Sequence, residues 1–251
     1  YMGKILYVNL STGELKTETP EDRFYRDFIG GHGIGSRILY SRMKAGVDAL
    51  GPENMLGFVT GPLTGTPYPV GTRYQVVCKS PLTGGWGDAN SGGYFGPYMK
   101  FAGYDDVFFT GIASKPVFLL IDNGKAELKN ANKYWGMDSN DTEDAIKADF
   151  GNDAEVSCIG QSGEKLSLIS CIMNRKGCAA GRSGVGAVMG SKRLKAVVVK
   201  GKKEVLLANK NAANEIRNDM MAVMRTAVVR GEPWLEMRHK YGTSQGGLNS
   251  A

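Results

Sequence analysis

Asn90-Ser91-Gly92-Gly93-Tyr94-Phe95-Gly96 and Ala179-Ala180-Gly181-Arg182-Ser183-Gly184-Val185-Gly186 are the two stretches on which the reading of this chain turns. Each glycine-rich turn leads into a short helix-like segment and then an apolar strand closing on glycine, Val107-Phe108-Phe109-Thr110-Gly111 and Val197-Val198-Val199-Lys200-Gly201. In one register Gly96 falls on Gly186, Met99 on Met189, Val107 on Val197 and Gly111 on Gly201. That register predicts two similar halves. Two such turns suit a large, roughly symmetric ligand carrying phosphates, because glycine lets a ligand approach the main chain closely and successive backbone amides form an anion nest.

The composition fits a folded protein with a sizeable core: 251 residues, of which 42% are hydrophobic, with 35 glycines. The formal net charge of +6 suits an anionic ligand or an acidic partner. Its basic residues are scattered and no aromatic RNA-binding signature accompanies them, so nucleic acid is not expected as a partner. No signal-peptide pattern and no long apolar run is present, and a soluble, cytoplasmic protein without a membrane partner is expected. Cys78, Cys158, Cys171 and Cys178 form no C-x-x-C pair, which argues against a zinc or iron–sulfur site built by this chain.

Alternating apolar patterns predict strands at Lys4–Leu10, Glu14–Thr17, Leu56–Thr60, Arg73–Lys79, Asp106–Thr110, Val117–Asp122, Ala126–Lys129, Val156–Ile159, Ser167–Met173 and Leu194–Lys200. Asn123-Gly124 predicts a tight hairpin. Helices are predicted at Arg23–Ile29, Ser36–Met43, Phe95–Ala102 and Thr142–Phe150, with the glycine-rich Gly30–Gly35 as a loop between the first two. After Lys203 the composition changes, and Asn209–Arg230 reads as one amphipathic helix. A domain of residues 1–203 followed by the start of a helical domain, 204–251, is expected, with a further C-terminal portion beyond Ala251.

Gly184 to Gly190 lacks the preceding strand that a dinucleotide fingerprint requires, and Gly190-Ser191-Lys192 is not a P-loop. Arg73 and Arg182 are candidates for bidentate phosphate binding, with Lys79 and Lys192 as lesser ones. His32 and His239 are candidates for a base or ligand, but two distant histidines do not make a shared metal site. Asp105 and Asp106 are expected to cap the Ala102-Gly103 turn. No catalytic residue can be named.

Several ordered motifs carry a resemblance: Thr60 to Thr66, Gly71-Thr72-Arg73-Tyr74, Lys79 to Gly84, Asn90 to Gly96, Phe101 to Asp105, and Ala179 to Lys192. Together they resemble the N-terminal domain of the tungsten-containing aldehyde ferredoxin oxidoreductases, from about Gly3 to Lys203. The resemblance implies an α+β, sheet-rich double-sheet base with internal pseudo-two-fold symmetry, holding tungsten (or molybdenum) on two pterins. It implies that Asn90 and Ala179 offer backbone carbonyls to a magnesium ion between the pterin phosphates. It further implies pterin contacts at Gly92, with Gly93, Gly181 and Arg182 completing the two turns, and Arg73 between pterin and a [4Fe–4S] cluster. Cys178 stands where relatives carry arginine, so Arg175 or Lys176 is the expected substitute. The cluster's cysteines and the substrate-facing residues of the family lie in later domains. The activity implied is oxidation of a small aldehyde to a carboxylic acid with ferredoxin as electron acceptor. A non-catalytic metallopterin-binding module and a related reductase acting on another substrate are the alternatives, and homo-oligomer formation stays open.

Overall fold

The computed structural model describes residues 1–69, 71–229, 237 and 240–242. The chain opens with a hairpin, β1 (Ile5–Asn9) and β2 (Glu14–Glu18), followed by helices α1 (Asp22–Phe28) and α2 (His32–Arg42). Next come β3 (Leu56–Thr60), β4 (Tyr74–Lys79), β5 (Trp86–Ser91), α3 (Phe95–Phe101) and β6 (Asp106–Thr110). A second series follows: β7 (Val117–Asp122), β8 (Lys125–Asn130), α4 (Ser139–Phe150), β9 (Glu155–Cys158), α5 (Gln161–Glu164), β10 (Ile172–Asn174), β11 (Cys178–Ala180), α6 (Val185–Ser191) and β12 (Leu194–Lys200). Helix α7 (Lys210–Val229) belongs to a second unit, the first being formed by Tyr1–Thr66 and Gly71–Leu206.

The first sheet has the order β2-β1-β6-β3-β4-β5, and the second, read from the opposite edge, β8-β7-β12-β9-β10-β11. Adding six to each strand number converts one into the other. The senses of pairing repeat as well: β1 with β6 and β7 with β12 are parallel, and the remaining neighbours are antiparallel. The internal repeat inferred from the two glycine turns is therefore a repeat of the whole sheet, and the fold is α+β.

Period-two alternation decides what each strand buries. Leu6 and Val8 of β1, Phe58 of β3 and Val76 of β4 share one core with Leu119 and Ile121 of β7 and Val197 and Val199 of β12. Met99 of α3 and Met189 of α6, paired by the sequence register, are both buried in this common core. The opposite face of the first sheet carries Ile5, Val59, Val77 and Phe108 against Tyr25 of α1 and Ile34 and Ile38 of α2. Phe118, Val156, Ala196 and Val198 of the second sheet pack with Ile146 of α4 and Tyr134.

Local expectations fare unevenly. Asn123 and Gly124 have φ of 49° and 96°, which is what a tight hairpin needs. Helix α4 starts three residues earlier than expected, because the Asp138 carboxylate accepts from Asn140 N at 2.7 Å and Asp141 N at 2.9 Å and so caps the end. Helix α2 begins inside the segment expected to be a loop. Its glycines serve packing instead: a Cβ on Gly33 would overlap the Phe28 carbonyl, and one on Gly35 would lie 3.0 Å from Val77 Cγ1. The strand expected over Ser167–Met173 shrinks to Ile172–Asn174, since Ser170 N bonds Ser167 O at 2.9 Å and closes a turn.

Asp105 and Asp106 do not cap the Ala102-Gly103 turn. Asp105 accepts from Met2 N at 2.9 Å and Gly3 N at 2.7 Å, fastening the N-terminal segment. Asp106 Oδ1 accepts from Thr60 N at 3.0 Å, while its buried Oδ2 has no partner. Burial, reinforced by the neighbouring Asp105 charge, pushes the Asp106 carboxyl well above its ordinary range. The unfolded chain loses this proton as pH rises past about 4, whereas the folded chain keeps it, so stability falls with rising pH above that point. Asp106→Asn should remove the loss. Thermal melts near neutral pH are expected to show the variant higher by about 2–4 °C per kcal/mol recovered, with the gap closing towards acid. A gap of constant size across pH would contradict a neutral Asp106.

Candidate functional site

Strands β5 and β11 are corresponding edge strands of the two sheets, and neither is apparent from the sequence pattern. Asn90 and Ala179, expected within turns, are the exposed residues near the ends of these strands. The two edges meet. Asn174, at the end of β10, donates from Nδ2 to Ser91 Oγ at 3.0 Å, to Tyr74 OH at 3.2 Å and to Cys178 O at 3.4 Å. It thereby binds the residue after Asn90 to the residue before Ala179. Ser183 adds a second tie: its Oγ donates to Asp88 O at 3.0 Å and accepts from Asp88 N at 3.2 Å. Ser80 Oγ donates to Ser183 O at 2.9 Å. These ties bring the two glycine-rich stretches side by side.

Glycine is required where they adjoin. Gly93 has φ of +81°, and a Cβ there would overlap Asn174 Oδ1 and approach Cys178 Sγ at 3.4 Å. Asn174 Oδ1 is itself a buried acceptor without a partner. Gly92 leaves open space in which the nearest atoms to a Cβ belong to the Arg73 guanidinium, at 3.9 Å. Ser183 (φ 62°) and Gly184 (φ 68°) are both left-handed, turning the chain from β11 into α6.

Arg73 stands exposed just before β4, and its Nη1 donates to Asn90 Oδ1 at 2.7 Å. Gly181 and Arg182 are exposed beyond β11. The face thus offers glycine backbone, the neighbourhoods of two strand-edge residues and an exposed arginine in each half. This donor set fits a phosphate-bearing group, since guanidinium forks match phosphate oxygens, and main-chain oxygens suit Mg²⁺.

Other candidates lie elsewhere. Lys192 is fully buried, donates to Gly111 O at 3.2 Å, and is pushed down to about 8 by burial. Lys79 Nζ donates to Val47 O at 2.7 Å. Arg175 is held by Glu155 at 2.7 Å and Lys176 by Asp144 at 2.6 Å, so both proposed substitutes for the missing arginine are committed to carboxylates. His32 contacts Gln75 and Asp88, and His239 falls outside the described residues. All four cysteines are free; burial pushes the Cys78 and Cys158 thiols up to about 12, which keeps them protonated. Among the described residues no group of three or more His, Cys, Asp or Glu side chains could hold a metal, and no helix is long and apolar enough to cross a membrane.

The family model for the N-terminal domain of aldehyde ferredoxin oxidoreductase matches residues 5–201. The tungsten-containing aldehyde ferredoxin oxidoreductase of Pyrococcus abyssi is 44% identical over 245 residues, covering 97% of this chain and 40% of that protein. The Thermococcus kodakarensis enzyme of the same description is 45% identical over 229 residues, 88% of this chain and 38% of that one. A WOR-like subunit of aliphatic sulfonate oxidoreductase from Pyrococcus furiosus is 36% identical over 217 residues, with 80% of this chain and 34% of that subunit covered. Among solved structures, the active-site complex BamBC of benzoyl coenzyme A reductase with 1,5-dienoyl-CoA superposes with a TM-score of 0.87 at 33% identity, over 90% of this chain and 34% of that one. This chain spans about 40% of the length of the aldehyde ferredoxin oxidoreductases it matches.

Proposed function

This chain belongs to the aldehyde ferredoxin oxidoreductase family as its N-terminal domain, and on that premise we propose that it is the base holding a tungsten bis-pterin cofactor in an aldehyde-oxidising enzyme. The observation that carries the proposal is the meeting of β5 and β11, which sets two side-chain-poor turns and two exposed arginines at one junction of two equivalent half-sheets.

In this reading Arg73 and Arg182 bind phosphate, and Gly92, Gly93 and Gly181 give the pterins access to the main chain. The backbone carbonyls of Asn90 and Ala179 hold magnesium. When bound, the tungsten–pterin group supplies the two-electron chemistry by which an aldehyde and water become a carboxylic acid. The chain's own share is to bind and orient that group and to cover one side of it with a dry core. Residues 1–203 form this base, and residues 204–251 open a helical second domain. A [4Fe–4S] cluster held by residues outside this chain would carry the electrons, with ferredoxin as their acceptor. The four free thiols suit a reducing, cytoplasmic setting. Aldehyde is preferred as substrate because the most similar relatives named above carry that activity in their description. The sulfonate and benzoyl-CoA relatives favour a second reading, in which the same base serves another substrate.

Elemental analysis of the full-length protein tests the assignment. Each charge-assisted arginine bond is worth about 1.5–3 kcal/mol, so Arg73→Ala and Arg182→Ala should each lower affinity for the cofactor by about tenfold or more. Tungsten and magnesium should fall together, along with aldehyde oxidation. Full tungsten content in the double variant would sink it.

A further inference from the structure

Arg73 is one end of a continuous chain of side-chain hydrogen bonds that runs away from the proposed cofactor face. Arg73 Nη1 donates to Asn90 Oδ1 at 2.7 Å, and Asn90 Nδ2 donates to Gln75 Oε1 at 3.0 Å. Gln75 Nε2 lies 3.1 Å from His32 Nε2, and His32 Nδ1 lies 2.7 Å from Asp88 Oδ2. Five residues take part, four of them on α2, β4 and β5 and Arg73 just before β4. Asn90 and Gln75 are directly paired across β4 and β5, and His32 starts α2 above them.

The two ends fix the direction of every bond between them. A guanidinium only donates and an ionised carboxylate only accepts. Arg73 therefore requires an oxygen from Asn90, which turns the Asn90 amide nitrogen towards Gln75. Gln75 must meet it with oxygen and so presents its own nitrogen to His32. His32 Nε2 must then accept, which leaves its proton on Nδ1, where the Asp88 carboxylate takes it. Reversing Asn90 sets donor against donor at Arg73, and reversing Gln75 alone sets its amide nitrogen against that of Asn90. The Asp88 backbone is bonded in turn to Ser183, the neighbour of Arg182.

We infer that His32, backed by Asp88, is a positioning residue: it holds the Gln75 and Asn90 amides in the one orientation that clamps Arg73 at the cofactor face. Its functional weight rests on the cofactor reading above; the bonding pattern does not. Gln75 is buried, so it has no solvent to reorient into. The His32 ring is exposed for two-thirds of its surface, so its substitution leaves the core intact.

The first test is the tautomer of His32 in the ¹⁵N-labelled chain at about pH 8, above the ordinary imidazole value of about 6.5. Long-range proton–nitrogen correlation should show the proton on Nδ1 and a bare Nε2, with His239→Gln identifying the other histidine. A proton on Nε2 would overturn the inference. The second is the set of Arg73 Nη signals, assigned by Arg73→Lys. They should be separately resolved in the parent chain and collapse to a rotationally averaged signal in His32→Ala. Unchanged Arg73 signals in that variant would also overturn it. Tungsten retained by full-length Arg73→Ala would count against the cofactor reading alone, since both nitrogen measurements are made without cofactor.

Discussion

Gly190→Ala is expected to destabilise the chain by about 4 kcal/mol or more, placing it among the exceptional single substitutions. Helix propensity alone points the other way, since alanine is better than glycine inside a helix by about 1 kcal/mol. Steric overlap decides the sign. Helix α6 crosses α5 so closely that a Cβ on Gly190 would overlap the Gly163 carbonyl and lie 3.2 Å from Glu164 N. Those obstacles are main-chain atoms, which cannot rotate aside. Gly163 is equally confined, its own Cβ position lying 3.1 Å from Gly186 O. Helix α5 cannot retreat without disturbing Glu164, which is bonded on its far side. Urea denaturation should show the midpoint collapse with little change in slope. A variant as stable as the parent would mean that the two helices do not touch through their backbones.

Lys195→Ala is expected to cost about 3–5 kcal/mol, the range for a buried ion pair that loses one partner. Lys195 is fully buried in β12, where Nζ donates to Glu164 Oε1 at 2.5 Å and to Met137 O at 2.9 Å. Glu164, half-buried as a residue but with its side chain only 6% exposed, accepts from Gly136 N at 2.9 Å. Removing the ammonium strands a carboxylate and a carbonyl together. Replacing both partners is a different experiment. Lys195→Met with Glu164→Gln keeps volume and removes both charges, and should recover most of the loss, because a buried pair contributes little net stability against apolar or neutral groups of similar shape. Comparing the single and double variants by denaturation separates the two effects. A double variant as unstable as Lys195→Ala would mean that shape, not charge, holds α5 in place.

The apolar strands and the register of the two halves are legible because Val107–Thr110 and Val197–Lys200 are short apolar runs, each closed by a glycine. Strands β5 and β11 are not. Their residues, Trp86-Gly87-Asp88-Ala89-Asn90-Ser91 and Cys178-Ala179-Ala180, are mostly small or polar and have low intrinsic preference for strands; pairing with β4 and β10 makes them strands. The same composition that hid them leaves the main chain uncovered at the site. The glycine turns and Arg73 stand out by residue type, whereas Asn174, one residue past the strand expected to end at Met173, carries no such signal. Nothing local tells that its amide joins the two half-sheets. Likewise the contact of His32 with Asp88 spans 56 positions and needs the β4–β5 pairing before it exists. Glycine usually marks loops, so the sequence predicts a late start for α2; at Gly33 and Gly35 glycine marks close approach instead.

Each half-sheet closes through a parallel pair between its first and last long strands, β1 with β6 and β7 with β12. This sets an order of events during synthesis. The N-terminal hairpin must wait for Val107–Thr110 to emerge before its inner edge is paired, and the first half then stands with the face of Leu6, Phe58 and Val76 incompletely covered until the second sheet is finished by Val197 and Val199. At ordinary elongation rates of about 5–20 residues per second, that interval lasts several seconds. A nascent chain of this kind has a defined window in which a chaperone is useful, and premature termination inside it releases a single sheet with an exposed apolar face rather than a smaller working protein.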